Sequence, residues 1–125
     1  MAILSSTYIK PTLAEAPYEP QEAPREELDP KEVLRRYSTL YHTSYEELEA
    51  VIFCESGWRV DVYGDGGRAY SLLQFHQPTF NAWEKELGED LDYKSWHDQI
   101  KLGAWAFSKG VTYKKHWTCY TKFYK

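Results

Sequence analysis

Glu55 is the residue of this chain best suited to move a proton. It follows a mostly apolar stretch, Leu48 to Cys54, and precedes Ser56-Gly57-Trp58, so its carboxyl is expected beside apolar and aromatic surface. Scarce water disfavours the charged form and raises a carboxyl pKa. An acid still protonated near neutrality can protonate a glycosidic oxygen, the task of the general acid in glycoside cleavage. The same position also suits the solvated end of an ordinary amphipathic helix. Asp61 and Asp65 are the candidates for a second carboxylate, which a hydrolase would need and whose separation from the acid decides inversion or retention. Asp65 beside Gly64 and Gly66 is equally the usual residue of a tight turn, and Asp61 fits a loop.

Other chemistries find less support. His42, His76, His97 and His116 lack the His-Glu-x-x-His spacing of a zinc site, and no paired cysteines accompany them, so neither metal nor cofactor is expected. Cys54 or Cys119 beside a histidine would make a peptidase nucleophile, but nothing fixes a Cys-His-Asn set. The two cysteines either form a disulfide or remain as a buried apolar residue and a free thiol; two alone do not fix the redox compartment. No phosphate-binding glycine loop precedes a helix with Lys and Ser or Thr.

The elements that must hold these residues are largely helical. Residues 1–28 read as a disordered tail or linker, because Pro11, Pro17, Pro20 and Pro24 alternate with glutamates and offer little apolar surface to bury. A single domain is expected over 29–125. Asp29-Pro30 opens a helix to about Tyr41, with Val33, Leu34, Tyr37 and Leu40 at helical spacing. Ser44-Tyr45-Glu46-Glu47 matches a capping box for a second helix, on which Leu48, Val51 and Ile52 face inward and after which Gly57 stops the chain. Gly64-Asp65-Gly66-Gly67 is turn chemistry, so a loop or short hairpin belongs at 61–67. Gln77-Pro78 restarts a helix carrying Phe80, Trp83 and Leu87, and Ser95-Trp96-His97-Asp98 opens another that ends at Gly110. Tyr113 to Phe123 reads as a last helix. Leu73 and Phe75 alternate with Gln74 as in a half-buried strand.

The string Glu55-Ser56-Gly57-Trp58, with Gly67-Arg68-Ala69-Tyr70-Ser71-Leu72-Leu73-Gln74-Phe75-His76-Gln77-Pro78, resembles the signature of the lytic transglycosylase (SLT) family of the lysozyme-like superfamily. That family pairs a Glu-Ser with a downstream Gly-Leu-Met-Gln-Ile-x-x-Pro-like segment. Glu55 and Ser56 match directly, Leu72, Leu73, Gln74 and Phe75 stand at the Leu, Met, Gln and Ile-like positions, and Pro78 falls near the proline. Asp98-Gln99-Ile100-x-Leu102-Gly103-Ala104 resembles the helix that follows, so the likeness covers about 45–107. Ser71 departs from the family at its usual Gly and Gly67 at a common Ser, and no Ala-Tyr-Asn-Ala-Gly stretch follows, which leaves Tyr120 as a counterpart by position only. The chain is identified as a divergent, minimal member.

The resemblance implies a mainly α, lysozyme-like domain in which Glu55 is the sole acid/base for β-1,4 cleavage of peptidoglycan or a related amino-sugar polymer. The 6-hydroxyl of the sugar would then close onto C1 and leave a 1,6-anhydro end. Hydrolysis with a second Asp, or a glycan-binding module without turnover, are the alternatives. Ser56, Ser71, Leu72 and Tyr120 would border the sugar groove. Gln74 suits acetamido or hydroxyl groups, and Trp58, Tyr70 and Phe75 offer apolar faces to sugars or else pack the core. Arg68 is either a solvated loop residue or the partner of a substrate carboxylate. Trp83 and Trp105 are expected in the core.

Composition agrees with a soluble monomer. Five Trp and eleven Tyr exceed what a small core needs, and amphipathic rings often line clefts. A net charge of -4 lacks the cations that nucleic acid demands. No stretch approaches the roughly 20 apolar residues of a membrane span. The start Met1-Ala2-Ile3-Leu4-Ser5 shows no export signal, while the resemblance implies an extracytoplasmic or wall-associated place of action.

Overall fold

The computed structural model describes residues 28–124, and the tail proposed for 1–28 falls outside them except for Leu28, which packs against the core. The described chain is mainly helical, with one small antiparallel sheet. Helix α1 (Pro30–Leu40) begins where Asp29 accepts a hydrogen bond from the Lys31 N–H and Pro30 occupies the first turn, where a missing N–H costs nothing. Helix α2 (Tyr45–Ser56) is capped by Ser44, whose Oγ accepts from the Glu47 N–H at 3.1 Å. The box is only half closed, because the Glu47 carboxylate accepts instead from Lys114 Nζ at 2.8 Å. Gly57 at φ 63 ends α2, a left-handed conformation that a Cβ would strain.

Strands β1 (Tyr63–Gly64), β2 (Ala69–Tyr70) and β3 (Phe75–His76) form a meander in the order β1-β2-β3, with Tyr63 opposite Tyr70 and Ala69 opposite His76. Of the loop or short hairpin expected at 61–67, the structure has the hairpin, closed by a 3-10 turn at Asp65–Gly67. Residues 71–74 are a turn, not the alternating strand that Leu73, Gln74 and Phe75 suggested. Ser71 and Gln74 take φ 71 and 51, and both Leu72 and Leu73 are fully buried.

Helix α3 (Gln77–Leu87) follows β3, and α4 (Trp96–Ser108) is the hub, capped by Ser95 and buried from His97 to Phe107 except at Lys101. A helix enclosed on nearly every side is largely apolar, and its buried polar residues His97, Asp98 and Gln99 lie in the first turn. It packs on α1, α2, α3 and α5 (Val111–Lys114). Gly103 lets Leu73 reach the α4 backbone, since a Cβ there would overlap the leucine side chain. The last expected helix is instead two, α5 and α6 (Thr118–Phe123), parted by a turn in which the Trp117 N–H donates to Lys114 O. A disulfide joins Cys54 on α2 to Cys119 on α6, so neither cysteine is free. Among the described residues no helix is long and apolar enough to cross a membrane.

Candidate active site

A cleft of about 570 Å³ opens between two walls, one made by the end of α2 with the start of α6, the other by the sheet and the first turns of α3. Glu55 and Thr118 belong to the first wall; Asp65, Ala69, Gln74, His76 and Thr79 to the second. Phe75, Trp83 and Trp117 line the same space and are themselves nearly inaccessible, so they form its floor. Their rings meet edge to face: Phe75 lies 5.9 Å from Trp83 and 5.4 Å from Trp117, and the two indoles are 5.8 Å apart. Trp117 Nε1 donates to Leu73 O at 2.7 Å, which ties the floor to the 71–74 turn. A cleft of this size is in the range of small-ligand sites.

The carboxyl of Glu55 titrates above the ordinary value because burial withholds water from its charged form. The backbone N–H of Cys119, which donates to it, and the Lys122 ammonium oppose that shift without cancelling it. The disulfide neighbours both ends of this contact, since Cys54 precedes Glu55 and Cys119 supplies the N–H. Across the cleft Asp65 adopts φ 53, a strained value for a residue with a Cβ. Its Oδ1 accepts from Arg68 Nη2 at 3.0 Å, and its Oδ2 lies 2.9 Å from His76 Nε2.

Gln74 is fixed from behind. Its Nε2 donates to Ser71 O at 2.8 Å and to Val62 O at 3.2 Å, two acceptors that define which end of the amide carries the protons. The oxygen is therefore the atom it has left for a ligand. The amide sits over Gly64, where a Cβ would overlap it.

Of the residues expected at the site, Glu55, Asp65, Gln74 and Phe75 share the cleft and the others do not. Ser56 is buried and knots the end of α2: its Oγ donates to Ile52 O and accepts from the Trp58 N–H, both at 3.2 Å. Trp58 stands beneath Lys31, whose Nζ is 5.3 Å from the ring centre, outside the cleft lining. Tyr70 packs at a tilt between Tyr63 and Tyr93, outside that lining. Ser71 donates to Val60 O at 2.7 Å and, at φ 71, takes a conformation natural to the glycine that the SLT pattern has there. Leu72 is core, and Tyr120 packs on Phe107 and Tyr124. Asp61 is exposed and absent from the lining, so its expected role as a second carboxylate is not supported by position.

Sequence reasoning weighed His76 and His116 only as metal ligands, passed over Thr79, Trp117 and Thr118, and assigned Trp83 to the core alone. His76 carried a usable signal, because it follows Gln74-Phe75 directly and shares its sheet face with Ala69. Among the described residues no group of three or more His, Cys, Asp or Glu could hold a metal ion. The chain matches no protein-family model, no curated protein and no solved structure.

Proposed function

We propose that this chain is a lysozyme-like glycosidase that cleaves β-1,4 bonds of peptidoglycan or a related amino-sugar polymer, with Glu55 as its acid/base. The observation that carries the proposal is a carboxyl with raised pKa on the rim of a cleft floored by three aromatic rings. A raised pKa favours the protonated form that can give its proton to the bridging oxygen, and the packed rings make the cleft floor apolar. Gln74 Oε1 is available to accept from an acetamido N–H or a hydroxyl. Both walls come from one chain, so a monomer suffices. The disulfide favours action outside the reducing cytoplasm, as disulfides persist in oxidising compartments.

Two routes lead from the protonated bridge. The SLT resemblance supports closure of the 6-hydroxyl onto C1, leaving a 1,6-anhydro end. Hydrolysis is favoured by a specific observation, the presence of Asp65 in the cleft that Glu55 lines. Digestion of purified peptidoglycan followed by mass spectrometry tests both. New fragments support glycan cleavage, anhydro ends weighing one water less than reducing ends. No fragments from several wall types and chitin oligomers would refute the enzymatic proposal and favour a binding module.

A further inference from the structure

We infer that His76 is the general base of this site, that Asp65 positions it, and that the glycan bond is therefore hydrolysed by water with inversion at C1. The inference rests on the glycosidase proposal and selects its hydrolytic branch.

Both side chains line the cleft that Glu55 also lines; they come from the sheet and its 3-10 turn, whereas Glu55 comes from the end of α2. Asp65 has both oxygens engaged, Oδ1 by Arg68 Nη2 at 3.0 Å and Oδ2 by His76 Nε2 at 2.9 Å. A carboxylate held between two donors is a poor proton acceptor but a good anchor. With Nε2 against Asp65, the neutral tautomer that keeps its proton on that nitrogen leaves Nδ1 as a lone pair. The arrangement repeats the logic by which a carboxylate fixes the tautomer and direction of a basic histidine. The pairing of Ala69 with His76, both in the cleft lining, puts the histidine on the cleft face of the sheet, and Asp65 reaches the same cleft from the adjoining 3-10 turn. About half of each side chain is exposed, 46% for His76 and 47% for Asp65, so water reaches the pair.

The location of the base decides the stereochemistry. A 6-hydroxyl closing onto C1 arrives from the face the leaving sugar departs, where Glu55 stands, and needs no group on the far wall. A base on the far wall activates a water for attack from the opposite face. The water O–H bond breaks and its proton passes to His76 Nδ1 as the water oxygen bonds C1. The C1–O4 bond breaks and O4 takes the Glu55 proton. The products are an inverted reducing end and a free 4-hydroxyl; His76 then releases its proton to solvent and Glu55 recovers one.

The test uses the wild-type chain, His76→Ala and Asp65→Asn on peptidoglycan oligosaccharides, with the anomer followed by proton NMR and products by mass spectrometry. The wild type should release the inverted anomer. His76→Ala should lose about 10²–10⁴-fold in kcat, and added azide should restore turnover as the glycosyl azide of inverted configuration. Asp65→Asn should lower kcat with KM held, and imidazole should not rescue it. His76→Gln, with oligosaccharide binding read by tryptophan fluorescence, serves if the alanine variant does not fold. Anhydro or retained products, or wild-type turnover in the His76 variants, overturn this inference and leave glycan cleavage standing. A wild type that yields no product overturns the glycosidase proposal itself.

Discussion

Opening the Cys54–Cys119 disulfide, by a thiol reductant or by the Cys54→Ser/Cys119→Ser double variant, should cost this domain a large part of its stability. The bond joins residues 65 apart in sequence. Closing a loop of that length removes conformational freedom from the unfolded chain worth about 4 kcal/mol in the chain-entropy model. Domains of this size are stable by only about 5–15 kcal/mol in total. A loss of that order lowers the midpoint of thermal unfolding by roughly 15–30 °C, at about 4–8 °C per kcal/mol. The effect should also reach the site. Helix α6 has six residues, too few to persist without tertiary anchors, and its Cys119 N–H donates to Glu55. Circular dichroism melts with and without reductant measure the first consequence, and product release from peptidoglycan at a temperature where both forms are folded measures the second. A midpoint that moves by less than about 3 °C, well short of the loss the chain-entropy model requires, would refute the reasoning.

Three further outcomes follow from individual contacts. Gly64→Ala puts a methyl into the Gln74 amide at an ordinary extended φ of -133, so it should destabilise by about 1–3 kcal/mol through crowding alone and raise KM, as read by denaturant titration and substrate kinetics. Trp117→Phe keeps the ring but leaves the buried Leu73 carbonyl without its donor, and should cost about 1–3 kcal/mol in the same titration. Glu55→Gln should stabilise the fold at neutral pH and not at pH 3. The folded carboxyl titrates above its unfolded value of 4.5, so the native state holds its proton longer. Stability from this group is complete below the unfolded value and is lost as pH rises through the folded one; denaturant midpoints at the two pH values show whether the gap opens as required.

The helical frame was legible because its signals are local. Asp29-Pro30, Ser44, Gly57, Gln77-Pro78, Gly88 and Ser95 each mark a helix end, and the structure ends the helices within a residue of them. Glu55 was legible from its apolar approach and from its SLT-like context. What escaped depends on contacts between distant segments. The strand-like alternation at Leu73 to Phe75 dissolves into a turn because Ser71 and Gln74 take left-handed conformations, held by the carbonyls of Val60 and Val62 eleven and twelve residues earlier. Trp117 belongs to the cleft only because α5 and α6 break apart, and nothing local in Lys115-His116-Trp117 announces that break. Ser56 and Leu72 match a motif whose neighbours face the cleft, yet both point inward, since adjacent residues at a helix end and in a tight turn face different ways.

Glu55→Gln, assayed for oligosaccharide binding and for product release on the same sample, tests the central claim most directly. Trp83 and Trp117 on the cleft floor supply the fluorescence signal for binding. The amide keeps the size and polarity of the side chain but has no acidic proton to transfer, so affinity should stay within a few-fold while kcat falls at least about 10²–10⁴-fold. Unchanged product release by the glutamine variant would contradict the account.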